Sequence, residues 1–146
     1  LDLGNSKNTC EFGEKRFSDM IKVCNKFGKK SKEHNGDYLS VDEYKLRFDL
    51  GMDAINIAPQ FGQLETLCYL EEMGDDIEDY YKICYDSKRW VKWVSQDFVP
   101  ENNKKELIKI CGHYVFSDDE FKSIAPNIDD KIKKSITNRL LEITND

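Results

Sequence analysis

Apolar residues recur at intervals of three and four through Phe17, Met20, Ile21, Cys24 and Phe27, a spacing that predicts a helix beginning near Glu14. Gly28 closes it, at a position where a left-handed backbone disfavours any Cβ. Residues 30–34 read as a short, rather polar strand, and residues 52–57 as a more apolar one of the kind that is covered on both faces. Between them Ser40 and Glu43 have the spacing of a capping box, opening a helix that Gly51 closes. The helical interval returns in Leu64, Leu67, Cys68, Leu70 and Met73, with Gly74 as the stop.

Everything after Gly74 reads as helix. Asp75 with Glu78 restarts a long one that carries Ile77, Tyr80, Tyr81, Cys84, Trp90, Val91 and Val94. Pro100 opens residues 101–111, closed by Gly112; Ser117 and Glu120 form a second capping box. Asn127 caps a last amphipathic helix through Ile128, Ile132, Ile136, Leu140 and Ile143. At the other end, Leu1-Asp2-Leu3-Gly4 reads as the close of a strand and residues 5–13 as a loop. A start at Leu1, already within a strand, leads us to expect the C-terminal piece of something longer. Strand followed by helix, three times over, predicts an α/β architecture with a helical tail.

Composition narrows the class. The 146 residues suffice for one ordinary domain, and 39% hydrophobic content with 12% aromatics suffices for a core. Lys and Arg number 22 against 28 Asp and Glu, a net charge of −6 with no basic stripe interleaved with aromatics, so we expect no nucleic-acid partner. No apolar run approaches the roughly 20 residues that cross a bilayer, and the start lacks the basic-then-apolar signal pattern. We therefore expect a cytoplasmic protein with no membrane association. Cys10, Cys24, Cys68, Cys84 and Cys111 are odd in number and widely spaced, which indicates neither a disulfide framework nor a zinc knuckle.

The candidate chemistry sits where the two strands end. His34 lies at the predicted C-terminus of the first, where an imidazole either ligates a metal and moves protons or simply hydrogen-bonds the turn. Asp37 either fixes that ring's tautomer and orients a sugar hydroxyl or shapes the turn before Ser40. Asn56 ends the second strand and offers donor and acceptor to a polyol, or serves as a buried turn amide. Gln60, Phe61 and Gly62 precede a helix whose free N–H groups and dipole favour a phosphate. His113, in Gly112-His113-Tyr114, is read as structural, and Trp90 and Trp93 as packing.

The stretch Glu33-His34-Asn35-Gly36-Asp37-Tyr38 resembles the seventh-strand H-x-x-D-Y motif of the non-catalytic subunit family of class II D-tagatose-1,6-bisphosphate aldolases. His113-Tyr114-Val115-Phe116-Ser117-Asp118-Asp119, followed by Pro126-Asn127-Ile128-Asp129-Asp130, is similar to the family's Tyr-Ser-Tyr-Ser-Asp segment and the helix behind it. The resemblance implies the C-terminal part of a (β/α)8 TIM barrel: residues 1–74 as its last three βα units, and residues 75–146 as a helical extension packed on it. Set beside the catalytic class II aldolases, Leu3-Gly4-Asn5-Ser6-Lys7-Asn8 resembles the sixth-strand G-N-x-H-G segment, His34 the seventh-strand metal ligand, and Asn56-Ile57 the eighth-strand Asn-Ile that touches substrate. Lys7 stands where a metal-binding imidazole is found, and a protonated amine repels a divalent cation such as zinc.

The resemblance thus implies an accessory, non-catalytic role in sugar-phosphate metabolism, with a phosphorylated sugar as ligand, a catalytic aldolase subunit as partner and assembly into homo- or hetero-oligomers. On this reading His34, Asp37 and Lys7 are the reactive groups, Asn35, Asn56, Gln60 and Gly62 bind substrate, and His34 would hold any divalent metal. Two other readings stay open. One is an active sugar-phosphate lyase or isomerase in which Lys7 forms a Schiff base; the other is a structural helical module for oligomerisation.

Overall fold

The computed structural model describes residues 1–144. Helix α1, Glu14–Lys26, buries Ile21 and ends in Gly28 at φ 60°. There the Lys29 N–H reaches the Cys24 carbonyl at 2.9 Å and the Gly28 N–H that of Asn25 at 3.0 Å, the paired bonds of a Schellman close. Strand β1, Lys32–Glu33, leads to α2, Val41–Asp49. The Ser40 N–H donates to Glu43 Oε2 at 2.7 Å and the Glu43 N–H to Ser40 Oγ at 3.3 Å, so the capping box forms as the spacing predicts. Gly51, at φ 98°, closes α2 with the same bond pair, Met52 to Arg47 and Gly51 to Phe48.

Strand β2, Ala54–Ile55, then lies parallel to β1, with Lys32 opposite Ala54 and Glu33 opposite Ile55. Helix α3, Pro59–Met73, follows, and Gly74 turns the chain at φ 62°. The tail comprises α4, Glu78–Ser87; α5, Lys104–Cys111; α6, Asp119–Ile124; and α7, Asp129–Thr144. Single 3-10 turns at Val91–Trp93, Pro100–Asn102 and Gly112–Tyr114 link them. The helix expected to run from Asp75 to Val94 breaks at Lys88, which adopts a left-handed backbone with φ 55°.

The expected barrel portion is not what the chain forms. About 60% of it is helical and 4% strand, and β1 with β2 makes a sheet of two strands. The segment read as the end of an earlier strand turns back on itself instead. Asp2 accepts the Asn5 N–H at 3.0 Å and the Asn5 amide at 2.9 Å, and a single antiparallel bridge joins Asp2 to Lys7. An Asx-type turn satisfies the backbone locally, where a barrel strand would need a neighbour. Leu3, fully buried, is drawn into the tail's core beside Tyr80, Cys84, Leu107, Ile108 and Cys111. Tyr69, Leu70 and Met73 of α3 pack on the same cluster, so one apolar core crosses residue 74.

Aromatic edges lock that core. Phe121 lies 4.7 Å from the Tyr80 ring centroid and 5.1 Å from that of Tyr69, the latter edge-on at 90°. Helix α7 packs along α3 and reaches α2, and its Arg139 donates to the Leu39 carbonyl at 2.8 Å. Beneath the sheet, Arg47 is 2% exposed, pairs through Nε with Glu33 at 2.6 Å, and lies over the Phe12 ring at 4.4 Å.

Candidate functional site

The parallel register fixes what leaves the strand ends. Glu33 faces Ile55, so the chain leaves the two strands at the neighbouring positions His34 and Asn56, and the Asn56 N–H donates to the Glu33 carbonyl at 2.9 Å. His34 is exposed and its Nδ1 lies 3.0 Å from the Asn35 side-chain oxygen. Asn56 is half-buried, and its carbonyl accepts the Gly36 N–H at 2.9 Å. Gly36 is required here, since a Cβ would run into Ile55 Cγ2.

The turn after His34 is built from residues in an unusual backbone region. Ser6, Asn35 and Tyr38 have φ of 50°, 64° and 62°, three of the four non-glycine left-handed residues described. Such strain persists only where the surroundings hold it. Asn8 holds it by donating to the carbonyls of Asn35 at 3.0 Å and Asp37 at 2.9 Å, and Tyr44 by donating to that of Gly36 at 2.6 Å.

Asp37 is fully buried and its Oδ1 accepts the N–H groups of Ala58 and Gln60, each at 2.9 Å. Its carboxylate therefore fills the start of α3, where a phosphate was expected, and an anion brought there would meet a negative charge. The other oxygen, Oδ2, has no partner among the described residues. Gln60 returns the contact by accepting the Tyr38 N–H at 2.9 Å. Gly62 lies further along α3, and a Cβ there would sit 2.7 Å from the His113 Cβ, so this glycine admits the imidazole against the helix. Burial pulls the His113 pKa down to about 4, with the positive charge of Lys92 adding to the effect.

Gln63 ties the site to both ends of the chain. Its Nε2 donates to the carbonyls of Leu3 at 2.7 Å and Lys109 at 3.0 Å, while its Oε1 accepts the Tyr38 hydroxyl at 2.5 Å and that of Ser6 at 3.3 Å. Burial, with the Asp37 carboxylate beside it adding to the effect, pushes the Tyr38 phenol well above its ordinary range, so it stays a donor. Lys7 stands apart on the exposed Asp2–Lys7 turn, where it helps to hold the Asp2 carboxyl below its usual value after the larger effect of Asn5.

The structure thus brings His34, Asn35, Asp37, Asn56 and Gln60 around one turn, with Gly62 packed under His113 and Lys7 on the adjoining loop. Asn8, Tyr38, Tyr44 and Gln63 were not singled out from the sequence. Tyr38 entered the sequence reading only as the last residue of the H-x-x-D-Y stretch, and a glutamine one turn into a helix carries no signal at all. Among the described residues no three His, Cys, Asp or Glu side chains gather to share a cation, and the contact at the His34 ring comes from a carboxamide. This donor set does not fit zinc.

Comparison with family models, with curated proteins and with solved structures returned no match. Among the described residues, no helix is long and apolar enough to cross a membrane.

Proposed function

We propose that this chain is a non-catalytic accessory protein of cytoplasmic sugar-phosphate metabolism, which holds a phosphorylated sugar at the ends of β1 and β2 in support of a catalytic subunit of the sugar-bisphosphate aldolase type. One observation supports the reading: the parallel register ends the two strands level with one another, so that His34 and Asn56, whose side chains can donate to and accept from polyol hydroxyls, are the residues that follow them. The motif around His34 supports the ligand class. The use of the buried groups supports a binding rather than a catalytic role. Asp37 is committed to the start of α3 and Tyr38 to Gln63, so neither is free to relay a proton with His34.

Calorimetric titration with a ketose 1,6-bisphosphate tests this. Wild-type protein is expected to bind saturably, with His34→Ala and Asn56→Ala each weakening binding about tenfold, the loss of one good hydrogen bond. Borohydride treatment in the presence of the ketose is expected to leave Lys7 unmodified, because no imine forms. An absence of heat, unchanged affinity in both variants, or a trapped adduct at Lys7 would overturn the reading.

A further inference from the structure

Away from the strand ends, the break between α4 and the 3-10 turn at Val91–Trp93 forms a cavity of about 350 Å³ lined by Lys88, Arg89, Val91, Lys92 and Tyr114. Three cations converge there in a chain whose net charge is −6. Among the described residues none of the three is paired with a carboxylate, an arrangement they share with other surface cations of the chain.

Solvated cations lying over aromatic faces would account for part of this arrangement. Lys88 sits 3.7 Å from the Tyr85 ring centroid, and Arg89 and Lys92 lie 5.7 and 5.8 Å from that of Tyr114. One further observation goes beyond it. Lys88 occupies a left-handed position at φ 55°, where a glycine would be unstrained, so a positive side chain stands at this corner against the backbone preference. Like charges brought together around a cavity repel until an anion enters. A guanidinium fork and two ammonium groups supply the donors that a phosphate's oxygens accept.

We propose that this cavity binds the phosphate group of a small phosphate monoester, between Lys88, Arg89 and Lys92 and against the Tyr114 ring. Its volume admits the phosphate together with a short polyol or a single sugar ring. The inference stands independently of the ligand assigned to the β1–β2 ends, and it provides a phosphate anchor that the carboxylate-filled start of α3 does not.

The test is a nuclear magnetic resonance titration of the full ¹⁵N-labelled chain with inorganic phosphate and, separately, glucose 6-phosphate, with ionic strength held constant by sodium chloride. Saturable shifts are expected at the Arg89 and Lys92 amides and at the Trp90 and Trp93 indoles. Lys88→Gln and Lys92→Gln are each expected to weaken binding about tenfold, while Lys92→Arg and the remote Lys45→Gln leave it nearly unchanged. Asn56→Ala should not alter these shifts, which separates failure here from failure at the strand ends. Shifts that do not saturate, that sodium chloride alone reproduces, or that survive both glutamine variants would overturn the assignment.

Discussion

The Asp37 carboxylate accepts the Gln60 N–H through Oδ1 at 2.9 Å, and the Gln60 side chain answers through Oε1, which accepts the N–H of Tyr38, the residue after Asp37, at 2.9 Å. The turn that follows β1 is thereby fastened to the first turn of α3. Replacing Asp37 with Ala leaves two buried or half-buried N–H groups without their acceptor. Asp37→Ala is expected to cost about 2 kcal/mol in urea denaturation, comparable to the loss of a helix cap with an unmet donor. A change within experimental error would show that water satisfies those donors.

Arg47 and Glu33 make a second buried connection, at 2.6 Å, under the sheet. Glu33→Gln strands the guanidinium charge in a site where Arg47 is 2% exposed, and is expected to destabilise by about 3 kcal/mol. Arg47→Met removes the charge but keeps apolar contact with Phe12, so its loss should be smaller. Thermal denaturation of the two variants reads the order directly, and the reverse order would contradict the burial described.

Asp53 accepts from Lys30 at 2.7 Å and from the Ser31 N–H at 2.8 Å at the foot of the two strands. Lys30 first, then Ser31, hold its carboxyl at about 2. A carboxyl more acidic in the folded than in the unfolded chain contributes its full stabilisation above the unfolded value of about 3.9, and that contribution drains away as pH falls through the folded value. Denaturant midpoints measured from pH 5 down to pH 2 are expected to fall more steeply for wild type than for Asp53→Asn, with the difference appearing below about pH 4. Parallel curves would mean that the clasp does not form in solution.

Gly112 packs its backbone against α3 and α4: a methyl group there would meet the Tyr80 hydroxyl and lie 2.7 Å from Thr66 Cγ2. Both neighbours are fully buried and have nowhere to move. Gly112→Ala is expected to cost about 2 kcal/mol by overpacking, whereas Gly28→Ala meets no atom and costs only its left-handed backbone. Comparison of the two variants by calorimetric melting checks the steric origin.

Most local signals in the chain translated into structure and the long-range ones did not; the Ser117–Glu120 capping box is the local exception, since α6 starts after Asp118 without a side-chain cap. The stripe Phe17, Ile21, Cys24, the Ser40–Glu43 capping box and the glycines at 28, 51 and 74 each act within a few residues, and each helix start or stop they announce is present. The parallel pairing of β1 with β2 also follows from strand, helix and strand in succession. The barrel failed because Leu1-Asp2-Leu3-Gly4 has strand-like alternation but an Asp2–Asn5 turn that outcompetes extension, while Leu3 finds its apolar partners in helices distant along the chain. At the candidate site, His34 and Asn56 were readable from their positions at strand ends. The fastening role of Asp37, and the reach of Gln63 to Leu3 and Lys109, depend on contacts between residues 21 to 60 positions apart, which periodicity does not encode.

The Gly36 N–H held by the Asn56 carbonyl also governs how this protein ages. Asn35-Gly36 is the kind of dipeptide that cyclises to a succinimide when the glycine nitrogen is free to attack the preceding carboxamide. Here that nitrogen is occupied, and the carboxamide oxygen is turned towards the His34 ring. Slow accumulation of isoaspartate at position 35 would accordingly act as a chemical clock for the moments when the two strands come apart.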